Sequence, residues 1–155
     1  MAYITAEARR ELLDTVAEAT RELGAALATL GEAYEALDEQ SADTLEEELF
    51  RPVQVAFGRA RRTHDGFAAR HGFAPLDPGP PAPAGRAVTA GDLKGLVDAA
   101  VDAVQNAEDI LVELQDSMSP VEVGDAELRA GLADVRAALA VIAERAERFV
   151  SRFGR

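Results

Sequence analysis

Apolar residues recur along this chain at alternating intervals of three and four, the spacing that keeps them on one face of an α-helix packed against a neighbour. The first such series is Leu13, Val16, Thr20, Leu23, Leu27, Leu30, Tyr34 and Leu37, with Thr20 its one clearly polar member. It predicts a helix over about 5–39. Ala17, Gly24 and Gly31 run along one side of this seam, and Ala19, Ala26 and Ala33 along the other. Glycine inside a helix costs roughly 1 kcal/mol against alanine, so the two glycines are expected to be points of close helix contact.

A second series, Leu45, Leu49, Val53, Ala56, Ala60 and Phe67, predicts a helix over about 42–72. Ser41 or Thr44 would cap it, Thr44 and Glu47 having the capping-box spacing. Pro52 should bend it by removing a hydrogen bond to the carbonyl of Glu48. Leu93, Val97, Ala100, Val104, Ala107, Leu111, Leu114 and Met118 predict a third helix over 90–117, capped by Thr89. Leu128, Leu132, Val135, Leu139, Ile142, Ala146, Phe149 and Phe153 predict a fourth over 125–153, capped by Asp125 or started earlier from Ser119.

Between the second and third series, residues 73–88 hold five of the seven prolines and cannot continue a helix. The expected fold is therefore all-α: one domain over 1–155, a long antiparallel four-helix bundle of two hairpins joined by a proline-rich linker, packed in the left-handed manner of coiled coils. Up-down-up-down is the simplest order. An extended linker of this length, at about 3.1 Å per residue, also reaches the far end of such a bundle. A crossover, or an exchange of hairpins between two chains, is thus geometrically permitted.

Composition then narrows the chemistry. The chain has no cysteine, so thiolate chemistry and disulfides are absent. A net charge of −12 argues against a binder of double-stranded nucleic acid, which needs basic residues to neutralise phosphates. The N-terminal residues lack the apolar core of a signal peptide, and the longest apolar run, Ala137 to Ala143, is far short of a membrane span. A cytoplasmic protein without membrane attachment is the simplest reading. The core positions are aliphatic, which leaves no sign of a cofactor site.

Against this acidic background, four arginines and both histidines fall within residues 57–72. A carboxylate-bridged metal pair needs Glu-x-x-His, and Arg61 and Ala68 stand three residues before His64 and His71, so no metal site is expected. The lysine and glycine that follow the histidine of phosphotransfer domains are replaced by Phe67 and Ala68. No serine lies in a G-x-S-x-G context. Arg59 and His64 have the R-x-x-x-x-H spacing that resembles the catalytic signature of HEPN ribonucleases, which are small all-helical domains that pair two such motifs across a dimer. The chain departs from that pattern at Ala60, where the family has a polar residue, and in placing the motif on an early helix. The alternative for His64 is a boundary position continuing the apolar stripe, its ring meeting a carboxylate or carbonyl. His71, beside Gly72, would complement the helix dipole.

In the up-down-up-down order, residues 1–18, 59–100 and 141–155 share one pole, holding twelve basic and ten acidic residues against four and eighteen elsewhere. That pole would gather Arg59, Arg61, Arg62, Arg145 and Arg148 into one binding patch. The resulting expectation is a non-enzymatic helical-bundle protein acting through protein contacts, as an adaptor, a small chaperone or a self-associating scaffold, a homodimer included. The alternatives are a HEPN-like ribonuclease using Arg59 and His64 at a dimer interface, or a binder of a small anionic ligand at the arginine-rich pole.

Overall fold

A computed structural model describes residues 2–77 and 92–153, and all regular structure among them is helical. Helix α1 runs Ala2–Glu35, α2 Glu39–Leu45, α3 Arg51–His71, α4 Leu93–Asp116, α5 Ser119–Glu122, α6 Ala126–Leu139 and α7 Ile142–Phe153. A π-helical stretch, Glu46–Phe50, joins α2 to α3. Among the described residues no helix is long and apolar enough to cross a membrane. The expected Thr89 cap and most of the proline-rich linker, residues 78–88, lie outside the described residues.

Most of the four apolar series becomes the core, although Met118, expected to end the third, is 49% exposed just past the end of α4. Every member of the second series is buried, and of the fourth only Phe153 is partly exposed. On α1, however, the fully buried line is Leu12, Val16, Ala19, Leu23, Ala26, Leu30 and Ala33, while Tyr34 is left 39% exposed. The seam is thus rotated toward the alanine flank. Helix α4, the main packing partner of α1, has a buried line that includes Ala100 and Ala107, and small side chains on both helices suit close packing. Thr20 is tolerated at 0% exposure because its hydroxyl donates to the carbonyl of Val16 at 2.7 Å.

Local expectations need correction at three places. The second helical segment begins at Asp38, whose carboxylate accepts from the Ser41 N–H at 2.8 Å and the Ser41 hydroxyl at 3.1 Å; Ser41 and Thr44 are donors within the helix, not its caps. A carboxylate at this position satisfies an N–H that would otherwise lack a partner. Just before Pro52 the helix type changes: the Arg51 N–H reaches back five residues to the Glu46 carbonyl, so a π-helical turn interrupts the single helix expected over 42–72. The fourth segment is two helices, separated at Ala140 and Val141, although its buried stripe crosses the break unchanged. Gly72 closes α3 in the left-handed conformation, φ 79°, as its position suggested.

The direction of the third segment overturns the up-down-up-down order. Arg9, near the start of α1, donates to the carbonyl of Val123, just after α5, at 3.0 Å, so the end of α4 lies beside the beginning of α1. Arg70 and His71, at the end of α3, bind Asp125 at the start of α6. At the other end, Thr44 and Glu48 share a groove with Arg145 and Arg152 of α7. Helices α1 and α4 are therefore antiparallel neighbours, and the connection between α3 and α4 joins opposite ends of the molecule. Its first residues already climb: Arg10 lies over the ring of Phe73, and Arg21, three turns further on, donates to the carbonyl of Asp77.

This rearranges the charge. Divided at the helix midpoints, the end holding the start of α1 carries eight basic and fourteen acidic residues among those described, and the opposite end six and fourteen. Among the described residues both ends are acidic, and the positive pole expected from the simpler order is not formed.

Candidate functional site

Helix α3 carries its arginines at Arg59, Arg61, Arg62 and Arg70, and the helix period separates them into different settings. Arg61 points outward, 3.9 Å from Asp65. Arg59 and Arg62, at i and i+3, face α6. With Thr63 and Arg70 they form one wall of a groove whose other wall is Glu127, Gly131 and Asp134, at i, i+4 and i+7 of α6. The groove encloses about 240 Å³.

At its floor the two helices approach closely. A Cβ at Gly131 would stand 2.7 Å from the Thr63 methyl group, so no side chain fits there. Thr63 has little freedom to retreat, because its hydroxyl donates to the Arg59 carbonyl at 2.7 Å. The glycine contacts anticipated on α1 are weaker. A Cβ at Gly24 would meet the Phe57 ring at 3.4 Å, and one at Gly31 would meet nothing within 4 Å.

One end of the groove is locked by Asp125. Its carboxylate caps α6 through the Leu128 N–H at 2.8 Å, accepts a two-pronged contact from Arg70 at 2.8 and 2.9 Å, and accepts from His71 Nε2 at 3.1 Å. Arg70 also reaches Glu127 at 2.8 Å. The Arg70 hydrogen bonds, outweighing the opposing effect of burial, hold the Asp125 carboxyl far below the usual carboxylate range, with help from Leu128 and His71. The same partnership raises the pKa of Arg70.

His64 is on another face. It is 5% exposed within the apolar stripe of α3, and its Nδ1 lies 3.0 Å from Asp65, so that nitrogen carries the hydrogen. Asp65 also accepts the Leu76 N–H at 2.7 Å, pinning the first residues of the connection against α3. Burial opposes ionisation of Asp65, yet Leu76, His64 and Arg61 together hold its carboxyl below the ordinary range. Five residues of helix put Arg59 and His64 about 140° apart around the axis. The R-x-x-x-x-H pair therefore does not converge within one chain.

Arg145 and Arg148 lie at the opposite end of the molecule from Arg59, Arg61 and Arg62, so the expected single patch is two sites. The second is a groove of about 240 Å³ lined by Thr44 and Glu48 on one side and Arg145, Arg148, Phe149, Arg152 and Phe153 on the other. The Arg152 guanidinium sits 4.9 Å from the centre of the Phe153 ring, which in turn packs against Phe149. The crossover causes this separation, since it turns α4, and with it the last segment, end for end.

Sequence patterns identified the arginines and the Asp125 cap. They missed the union of Arg70 and His71 with Asp125, and the contact of Gly131 with Thr63, because both join residues more than fifty positions apart. Compared with known proteins, the chain matches no family model, no curated protein and no solved structure. Among the described residues no cluster of three or more His, Asp or Glu side chains is placed to hold a metal ion.

Proposed function

We propose that this chain is a non-catalytic protein acting through protein contacts, as an adaptor, small chaperone or self-associating scaffold, built as an antiparallel four-helix bundle with left-handed, coiled-coil-like packing and one long crossover. The observation that carries the reading is the contrast among the arginines of α3. Arg61 and Arg70 have carboxylate partners, whereas Arg59 and Arg62 line an open groove with no ion pair among the described residues. Two adjacent guanidinium groups suit the carboxylates of an acidic helix spaced three or four residues apart. Asp134 on the facing wall would repel a wrong register. Among the described residues the groove is lined by no histidine, and its one hydroxyl, that of Thr63, already donates to the backbone.

Capture from lysate with the parent and with an Arg59→Glu, Arg62→Glu double variant, followed by identification of the captured proteins, tests this reading. The double variant should lose a partner that the parent binds directly and in a salt-sensitive manner, while its circular dichroism stays the same. A partner set unaffected by the double charge reversal would overturn it. RNA cleavage by the parent, lost in both Arg59→Ala and His64→Ala, would replace it with the ribonuclease reading.

A second reading, a small-anion binder, draws support from the other groove, where Arg145, Arg148 and Arg152 face a single carboxylate, Glu48, beside two aromatic rings. Titration with inorganic phosphate, read from the arginine side-chain resonances, should then saturate in the parent and fail in Arg148→Glu.

A further inference from the structure

Gly31 has no steric reason to be glycine. It lies inside α1, where glycine weakens a helix, and a Cβ there would meet no atom within 4 Å. What the missing side chain leaves open is a pocket of about 240 Å³, lined by Gly31, Tyr34 and Glu35 of α1 and by Glu46 and Phe50 of the π-helical stretch. An enclosed apolar cavity of about 150 Å³ accepts a benzene molecule, so a small organic group fits this more open site.

Its chemistry is one-sided. Among the described residues two aromatic side chains and two carboxylates line it, and no basic residue does. Neither Glu35 nor Glu46 has an ion-pair partner among the described residues. Aromatic rings attract a cation through their negative faces, and an adjoining carboxylate adds charge attraction without requiring a directed hydrogen bond. The π-helical turn brings Glu46 and Phe50, four residues apart, to the same side of the chain, opposite Tyr34. We propose that this pocket binds a small organic ammonium ion, with Tyr34 and Phe50 as the aromatic walls, Glu35 and Glu46 as the counter-charges and Gly31 as the opening. The site is separate from the groove between α3 and α6 and does not depend on the docking role proposed for it.

The test is a titration of the full chain with tetramethylammonium chloride, followed by amide correlation spectra, against sodium chloride at equal ionic strength and against tert-butanol as an uncharged analogue. Saturable shifts confined to Gly31, Tyr34, Phe50 and their neighbours are expected with tetramethylammonium alone. Tyr34→Ala should weaken binding by about threefold through loss of one ring. Gly31→Leu should abolish the saturable shifts while keeping the helical circular dichroism, since the added side chain enters open space. Equal shifts with tert-butanol or sodium, an absence of saturation, or unchanged binding in Gly31→Leu would each overturn the proposal.

Discussion

Replacing Asp125 by alanine removes three things at once: the cap of α6, the Arg70 contact and the acceptor for His71. Loss of an aspartate cap typically costs about 1 kcal/mol. Hydrogen bonds to a charged group reach about 1.5–3 kcal/mol when buried, and exposed ion pairs contribute about 0–1 kcal/mol. The Arg70 and Asp125 side chains are 33% and 28% exposed, so the pair belongs toward the lower figure, near about 1 kcal/mol. The expected loss is therefore about 2 kcal/mol, which for a chain of this size lowers the midpoint of thermal unfolding by roughly 4–8 °C. Asp125→Asn separates the contributions, because asparagine caps as well as aspartate but cannot pair with Arg70 as an anion; it should lose about half as much. Acid titration supplies a second check. The folded-state pKa of Asp125 is depressed, so its stabilisation is complete above the ordinary carboxylate value of about 3.9 and is lost as pH falls through the folded value. The stability gap between the parent and Asp125→Asn should accordingly close in strongly acid solution. Thermal melts by circular dichroism at neutral and acid pH measure both effects. A melting point for Asp125→Ala equal to that of the parent, or a gap to Asp125→Asn that persists unchanged in acid, would refute the reasoning.

Gly131→Ala should destabilise the fold by about 1–3 kcal/mol, because the new methyl group meets Thr63, whose hydroxyl is tied to Arg59; denaturant unfolding measures this, and an unchanged midpoint would mean that α3 and α6 separate freely. Gly31→Ala should have the opposite sign and stabilise by about 0.5–1 kcal/mol through helix propensity, with a loss of stability pointing to a packing role that the open space denies. A nitroxide spin label at Ala74 should broaden the amide signals of residues 120–128 and spare those of 145–153. The reverse pattern would restore the up-down-up-down order.

Much of the helical content was legible in the spacing of apolar residues, since that spacing is a local property: a stripe at intervals of three and four is buried as a helix wherever the partner comes from. His64 illustrates the same point, for its place beside the stripe of Val53, Ala56, Ala60 and Phe67 already made it a core or boundary residue meeting a carboxylate or carbonyl, and the structure buries it with Asp65 as its partner. The position of the seam on α1 was less legible. Leucines mark a stripe more visibly than alanines, yet Ala19, Ala26 and Ala33 are fully buried in it, as small side chains suit a close helix pair.

The sequence by itself determined that the chain is helical, most of the residues that form its core, where Gly72 and Asp125 end and begin helices, and which side chains carry positive charge. Tertiary structure alone decided the direction of α4 and, through it, which charged residues meet across the chain. The physical reason lies in the proline-rich connection: an extended segment of that length reaches either end of the molecule, so local patterns carry no preference between the two orders. The choice falls to contacts made across the chain, the alanine-lined packing of α1 on α4 and the binding of Arg70 and His71 to Asp125. Those contacts place Arg59 and Arg62 in one groove and Arg145 and Arg148 in another.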